Sequence, residues 1–167
     1  MQHIVEEELG AAVKKFTPIS ASAIVVRPRT GEIVAMATLP TFDPNKPGVY
    51  SPDQRRNRVI TDQAEPGSTF KIVVVSGALN DGDVTLRDRI DCENGRFAFA
   101  GKILHDHEAY PVLSVEEVIT KSSNIGSAKI GIKMGQEDLY NYIRNFGFGS
   151  ATGVQLPGAR STASFIL

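Results

Sequence analysis

The stretch PGSTFKIVVVSGALN, residues 66–80, predicts a helix that is apolar nearly all the way round. Pro66 suits the first turn of a helix, where its missing N–H is not needed, and the Asn-Asp-Gly sequence at 80–82 predicts the end. A helix without a polar face is covered on every side in a folded protein. We therefore expect residues 66–80 to form a buried central helix around which the other elements pack.

The residues before this helix predict a second helix and a pair of strands. Apolar residues at helical spacing predict an amphipathic helix over residues 2–16. Residues 21–27 and 32–39 are typical of two antiparallel strands, joined by a Pro-Arg-Thr-Gly turn at 28–31. Both faces of these strands are apolar, so we expect helices on both faces of the sheet. The polar segment 40–58 is predicted to be a loop.

The residues after the central helix predict a helical subdomain over 83–147. Ser114 and Glu117 form a capping box that opens its first helix. Glu93-Asn94-Gly95 is typical of a hairpin turn between short strands. Residues 148–167 contain several glycines and are expected to be an irregular tail. The helices expected in the subdomain are 114–121, 124–134 and 136–146.

The composition indicates a single globular domain and excludes several functions. With 167 residues, 41% of them hydrophobic, the chain is long enough to bury a core and too apolar to be disordered. Its net charge of −1 lacks the basic excess typical of proteins that bind nucleic acid. A single cysteine, Cys92, excludes an internal disulfide and a cysteine-based zinc cage. No apolar run has the length of a membrane span, and the acidic start is unlike a signal peptide.

Ser68 and Lys71 are the first candidate site residues, because they lie in the first turn of the central helix. Their i, i+3 spacing places both on one face, and side chains lean towards the N-terminus, so the lysine amine points back at the hydroxyl. The helix dipole and burial both disfavour the ammonium form, and a neutral amine can take the hydroxyl proton. The alternative is that Ser68 caps the helix and Lys71 extends to solvent.

Ser122 and Asn124 are the second candidate pair, at the junction of two predicted helices. If the link is not helical, a hydroxyl and a carboxamide two residues apart point into one cleft. The hydroxyl can then relay a proton, and the amide can hold a substrate carbonyl or the lysine. The alternative is that Ser122, Ser123 and Asn124 only cap the second helix.

The two strings together resemble a known family. Glu65-Pro66-Gly67-Ser68-Thr69-Phe70-Lys71, followed by Lys121-Ser122-Ser123-Asn124, is similar to the transpeptidase domain of penicillin-binding proteins. The resemblance extends over residues 2–158. Residues 26–36 look like the opening hairpin of that domain. Two further segments, 57–62 and 146–149 leading to 156–158, are similar to the class B, monofunctional type, and the chain as a whole is most similar to its septum-type branch.

The resemblance implies that Ser68 is the acylated nucleophile and that Lys71 is the base that activates it. Ser122 and Asn124 would form the second active-site motif, in proton relay and substrate positioning. The implied reaction cross-links peptidoglycan: Ser68 attacks the D-Ala-D-Ala end of a stem peptide, and an amine of another stem takes the acyl group. β-Lactams mimic D-Ala-D-Ala and would leave a stable acyl-enzyme. No metal or cofactor is implied.

The family also implies an architecture: an α+β fold of the serine β-lactamase and penicillin-binding transpeptidase type, with an antiparallel sheet covered by helices on both faces. Residues 1–167 are then expected to be a partial transpeptidase domain, with three strands and the third motif, Lys-Thr/Ser-Gly, after Leu167. That motif is not found after Asn124, and Arg29-Thr30-Gly31 is typical of a turn. The missing motif argues against complete catalysis by this chain alone.

The family resemblance implies a setting as well. The protein is expected at the extracytoplasmic face of the bacterial membrane, anchored by a segment outside this chain, with a role in cell division. Its partners would be stem peptides, β-lactams and cell-wall synthesis proteins. Two alternatives stay open: a serine β-lactamase or β-lactam sensor, and a non-catalytic truncated domain that dimerises through unpaired sheet edges.

Three other features have structural interpretations. His105-Asp106-His107 is interpreted as a surface loop and not as a metal site, because a third ligand is not evident. Cys92 is expected to be a small packed residue without a reactive thiol. The basic cluster near the candidate nucleophile is expected to pair with Asp53 and Asp62; its members are Arg55, Arg56 and Arg58.

Overall fold

The computed structural model describes residues 1–156. The chain divides into two compact units, whose described parts are residues 1–63 with 153–156, and residues 64–152. Residues 148–156 contain no helix or strand, in agreement with the first part of the predicted irregular tail. The rest of that tail, 157–167, lies outside the described residues.

The first unit is built on one hairpin. Strands β1 (Ala21–Val26) and β2 (Ile33–Leu39) pair antiparallel, as predicted, with Ala23 opposite Ala37. Ala35 and Ala37 are buried on one face, whereas Ile24 and Val26 on the other face are 47% and 42% exposed. The sheet is therefore less completely covered than its two apolar faces predict.

The hairpin is covered by the predicted N-terminal helix, α1 (Gln2–Phe16). The Gln2 side chain holds the middle of β2: its amide nitrogen donates to the carbonyl of Met36 at 2.8 Å, and its amide oxygen accepts from the N–H of Met36 at 2.9 Å. The same unit contains a short 3-10 helix (Pro47–Val49) and the single-turn helix α2 (Arg58–Thr61). The segment predicted as a loop is thus irregular for most of its length and ends in a helical turn.

Two of the three arginines of the basic cluster, Arg56 and Arg58, form ion pairs with Asp53 and Asp62, as the sequence predicts. Arg58 contacts Asp53 at 2.5 Å and Asp62 at 3.2 Å. Arg56 contacts the same two carboxylates, at 3.4 and 3.2 Å. These charges are engaged with each other within the unit, which accounts for their clustering in the sequence.

The second unit is built on the central helix. A 3-10 turn (Gly67–Phe70) leads directly into α3 (Lys71–Asn80), so the predicted helix at 66–80 is present with a tighter first turn. The buried side chains of α3 include Val74, Val75 and Ala78. Ile72, near the start of the helix, is 55% exposed, and Asn80 at its end is exposed as well. The helices packed against α3 are α4 (Val115–Thr120), α5 (Asn124–Met134) and α6 (Gln136–Asn145).

The segment between α3 and α4 contributes two small sheets to the second unit. Strand β4 (Arg96–Phe99) pairs with β5 (Lys102–His105), and β3 (Arg89–Asp91) pairs with β6 (Val112–Ser114). The turn predicted at 93–95 is present, but the hairpin is wrong, because the strands that flank this turn belong to different sheets. Their partners lie further along the chain, where local turn chemistry gives no information.

The predicted capping box fixes the start of α4. The Glu117 N–H donates to the Ser114 hydroxyl at 3.1 Å, and the Ser114 N–H donates to the Glu117 carboxylate at 2.8 Å. Below this helix lies the core of the second unit, which collects apolar side chains from α3, α4 and α5. Its largest fully buried members are Ile125, Ile130, Val115 and Val118. Within residues 1–156, no helix is long and apolar enough to cross a membrane.

Candidate active site

Ser68 lies in the 3-10 turn that opens the central helix, with its side chain exposed. Gly67 precedes it with φ +56°, a left-handed conformation that glycine adopts without strain. The Thr69 hydroxyl donates to the Pro66 carbonyl at 2.5 Å and closes the turn from the other side. The sequence Pro-Gly-Ser-Thr therefore presents the Ser68 hydroxyl at the solvent end of a buried helix.

Lys71 is buried below this hydroxyl, with 8% of the residue exposed. Its Nζ lies 3.2 Å from Ser68 Oγ, 2.9 Å from Ser122 Oγ and 2.5 Å from the Ser122 carbonyl. An ammonium has three N–H donors for these three acceptors. A neutral amine donates two hydrogen bonds and accepts one through its lone pair. The contacts of Nζ suit both the ammonium and the neutral amine. A proton can therefore move between Ser68 Oγ and Lys71 Nζ without a movement of either side chain.

The protonation of Lys71 is set by two opposing influences. Burial lowers the pKa of Lys71, because the ammonium loses contact with water, and the negative charge of Asp106 partly opposes this shift. The amine is thus neutral at lower pH than the amine of an exposed lysine. A lysine that extends to solvent, the structural alternative for this residue, is not what the structure contains.

Ser122 reaches the same point from the junction of α4 and α5. Its backbone is left-handed, with φ +56°, so the link between the two helices is not helical. The Ser122 hydroxyl donates to Ser68 Oγ at 2.9 Å while accepting from Lys71. The structure therefore brings three of the four predicted site residues together: Ser68, Lys71 and Ser122.

Asn124 lies at the first position of α5, exposed, next to this cluster in the sequence. Its amide nitrogen donates to the carbonyl of His105 at 2.8 Å. Within residues 1–156, the hydrogen bonds of Lys71 join it to Ser68 and Ser122 and not to Asn124. Of the two partners expected for the amide, the lysine is therefore not contacted, and a substrate carbonyl stays a prediction. The helix cap itself is Ser123, whose hydroxyl accepts from the Gly126 N–H at 2.8 Å.

Asp106 is the residue of this region that the sequence interpretation missed. It lies in the irregular segment after β5, as expected, but its side chain is half-buried and its carboxylate accepts hydrogen bonds from Ser123, Asn124 and Ile125. The sequence did not predict these contacts because the partners lie 17 to 19 residues away, beyond any local pattern. Across residues 1–156, no three His, Cys, Asp or Glu side chains are grouped closely enough to hold a metal ion.

Cys92 is fully buried behind the site, as predicted for a packed residue. Its Sγ lies 3.5 Å from the Ser123 hydroxyl. Burial raises the pKa of the Cys92 thiol, with a smaller opposing effect from that hydroxyl. Cys92 is therefore a neutral thiol that packs against Ser123 of the second motif.

An α+β fold that places a serine and a lysine one turn apart on a buried helix, with a second serine against both, defines the active-serine class of penicillin-interacting proteins. The particular family follows from comparison with known sequences. The chain matches the penicillin binding protein transpeptidase domain over residues 21–164, and it belongs to this family.

Individual relatives agree with this assignment. PenA of Neisseria gonorrhoeae, named a probable peptidoglycan D,D-transpeptidase, is 35% identical over 158 residues, which are 95% of this chain and 27% of that protein. FtsI of Escherichia coli K12, named a peptidoglycan D,D-transpeptidase, is 37% identical over 161 residues, 96% of this chain and 27% of that protein. The chain thus spans about a quarter of the length of these curated relatives.

A solved structure agrees as well. The transpeptidase domain of penicillin-binding protein 3 from Burkholderia pseudomallei superposes with a TM-score of 0.82 and 36% identity, over 96% of this chain and 44% of that one. The family resemblance inferred from the motifs and the predicted α+β fold are both confirmed.

Proposed function

We propose that the protein is a peptidoglycan D,D-transpeptidase that works through an acyl-serine intermediate. Ser68 is the nucleophile, Lys71 its base, Ser122 a proton relay, and Asn124 a group that positions the substrate. The observation that supports this most strongly is the contact of Lys71 Nζ with two hydroxyls, at 3.2 Å to Ser68 and 2.9 Å to Ser122. An amine of lowered pKa beside an exposed hydroxyl is the arrangement that activates a serine.

The acylation step follows from these contacts. Neutral Lys71 takes the proton of the Ser68 hydroxyl as Oγ forms a bond to the carbonyl carbon of the penultimate D-alanine. The C–N bond to the last D-alanine then breaks, and the leaving amine receives a proton from the Lys71 ammonium through the Ser122 hydroxyl. This hydroxyl can relay the proton because it contacts both Lys71 and Ser68. The products are an ester on Ser68 and free D-alanine.

The second step reverses these proton transfers. The amine of another stem peptide attacks the ester carbonyl, and its proton passes through Ser122 to Lys71. The bond between Ser68 Oγ and the acyl carbon breaks, and the ammonium returns a proton to the serine oxygen. A β-lactam enters the same first step, but its ring-opened amine stays tethered to the acyl group. The ester on Ser68 then persists because no acceptor replaces it.

The setting of the reaction is part of the same proposal. The names of the E. coli and N. gonorrhoeae relatives support peptidoglycan as the substrate, and FtsI supports a role in cell division. A protein with this role acts at the extracytoplasmic face of a bacterial membrane, anchored there beside other cell-wall synthesis proteins. The match to 44% of the solved transpeptidase chain supports assigning residues 1–167 to part of one such domain.

The test is the fate of a β-lactam on the full-length protein. After incubation with benzylpenicillin, we expect the intact mass to show one covalently added benzylpenicillin per protein, and this adduct to persist far longer than a β-lactamase takes to complete one turnover. Ser68→Ala should show no adduct. Continuous hydrolysis of nitrocefin would instead identify a β-lactamase. An unmodified wild-type protein would identify a non-catalytic domain. Release of D-alanine from a donor peptide, with transfer to an added acceptor amine, distinguishes the transpeptidase from a sensor.

A further inference from the structure

Asp106, directly after β5, accepts three hydrogen bonds from the segment that carries the second motif. Its Oδ1 accepts from the backbone N–H of Asn124 at 2.5 Å and of Ile125 at 3.0 Å. Its Oδ2 accepts from the Ser123 hydroxyl at 2.7 Å. Both N–H groups belong to the first turn of α5, where backbone donors have no partner inside the helix.

The position of Ser122 depends on this segment. A left-handed conformation at a serine is unfavourable and persists only where the surrounding contacts hold it. On the side of α4, the N–H groups of Ser122 and Ser123 donate to Ile119 and Val118, at 3.1 and 2.9 Å. On the side of α5, the contacts to the chain before α4 include the three bonds to Asp106 and the bond from Asn124 to the His105 carbonyl. The Sγ of Cys92 adds a longer contact to the Ser123 hydroxyl, at 3.5 Å.

We propose that Asp106 is a positioning residue for the second motif: its carboxylate fixes the backbone of residues 123–125 and thereby keeps Ser122 Oγ against Ser68 and Lys71. The proposal rests on the proposed function, since it concerns the same site. Asp106 does not contact Ser68 or Lys71 in the hydrogen bonds of the site; it acts through Ser122, whose hydroxyl lies 2.9 Å from each of them.

The chemistry of the three bonds requires a carboxylate. Two N–H groups and one O–H group all donate, so the side chain at 106 has to accept three times with two oxygens. Asparagine supplies one acceptor oxygen, which can keep the two backbone bonds. Its NH2 group can only donate to the Ser123 hydroxyl, so the bond that this hydroxyl donates to a charged oxygen is lost. Alanine supplies neither. The Asp106→Asn variant therefore loosens the segment in part, and Asp106→Ala loosens it fully.

The experiment is the rate constant of acylation by benzylpenicillin, measured on the full-length protein by stopped flow. A displacement of catalytic groups by about 1 Å slows a reaction on the order of 10²-fold, and we expect that loss for Asp106→Ala and a smaller loss for Asp106→Asn. Asp88 provides the matched control, because its carboxylate also accepts from a backbone N–H and a hydroxyl, those of Thr85. Asp88→Asn is expected to be acylated at the wild-type rate.

A double-mutant cycle separates positioning from general loss of stability. The charge of Asp106 also raises the pKa of Lys71, so the rates are compared at pH values above that pKa, where the amine is neutral in every variant. If Asp106 acts through Ser122, then Asp106→Asn has no further effect on acylation in a Ser122→Ala background under these conditions. A role in stability alone would give the same additional loss in both backgrounds, and melting temperatures recorded for all four proteins would follow it. Equal losses of acylation rate in the two backgrounds would overturn the proposal.

A second measurement keeps this test apart from the test of the function. If the wild-type protein is not acylated, the proposed function fails, but crystal structures of wild type and Asp106→Asn still report on positioning. We expect the distance between Ser122 Oγ and Ser68 Oγ to lengthen from 2.9 Å in the variant. An unchanged distance would overturn the positioning role, whatever the reactivity of the protein.

Discussion

Removal of the Lys71 amine is the perturbation with the largest expected effect on acylation after removal of Ser68 itself. In Lys71→Ala, the Ser68 hydroxyl loses its contact to Nζ at 3.2 Å, and the Ser122 hydroxyl loses the hydrogen bond that the same Nζ donates to it. A positioned general base typically contributes 10²–10⁴-fold, which corresponds to about 3–5 kcal/mol of barrier. We therefore expect acylation by benzylpenicillin to slow by two to four orders of magnitude.

The same experiment has a pH signature. Acylation requires the neutral amine, so the wild-type rate rises with pH through the pKa of Lys71 and is lost as pH falls below it. Because burial lowers this pKa, the midpoint lies below the ordinary value of a lysine, and the opposing charge of Asp106 limits the shift. In Lys71→Ala, this limb of the profile is expected to disappear.

Two controls separate a base from a structural amine. Lys71→Arg keeps a positive charge and several donors but cannot lose a proton, so it should be as slow as the alanine variant. Added ethylamine should partly restore Lys71→Ala, in proportion to its neutral form, because the site opens to solvent at Ser68. Acylation of Lys71→Ala within a few fold of wild type, or a wild-type rate for Lys71→Arg, would refute the reasoning.

Two further predictions concern packing. A Cβ at Gly77 in α3 would lie 2.7 Å from Met134, so Gly77→Ala should lower the unfolding free energy by about 1–3 kcal/mol, measured by denaturant titration. Gly10→Ala in α1 is the control, since a Cβ there meets no atom of residues 1–156 within 4 Å. It should stabilise the protein by about 0.4–1 kcal/mol, and equal effects at the two sites would contradict this packing. Cys92 is fully buried with a raised pKa, so iodoacetamide should modify it only after unfolding; rapid alkylation of the native protein would show an accessible thiol.

The nucleophile region was predictable from the sequence because its geometry is local. The spacing of Ser68 and Lys71 within one helical turn determines that the amine faces the hydroxyl, and the apolar residues that follow determine that the helix is buried. The capping box at Ser114 was predictable for the same reason, since both of its bonds join residues three positions apart.

The contacts that the sequence did not predict are those between distant residues. Strands β3 and β6 are three residues each and pair across about twenty residues, too short for an alternating pattern to identify them. Asp106 stands between two histidines and resembles a surface or metal-binding residue until its partners on α5 are known. The meeting of Ser122 with Lys71, 51 residues apart, was inferred from family resemblance and not from spacing.

The position of the acyl group on the chain is the direct test of Ser68 as the nucleophile. The full-length protein is exposed to benzylpenicillin, digested, and mapped by tandem mass spectrometry. We predict one modified peptide with the adduct on Ser68, the exposed hydroxyl 3.2 Å from a buried amine. An adduct on Ser122 or Ser123, or equal labelling of wild type and Ser68→Ala, would contradict the assignment of the nucleophile.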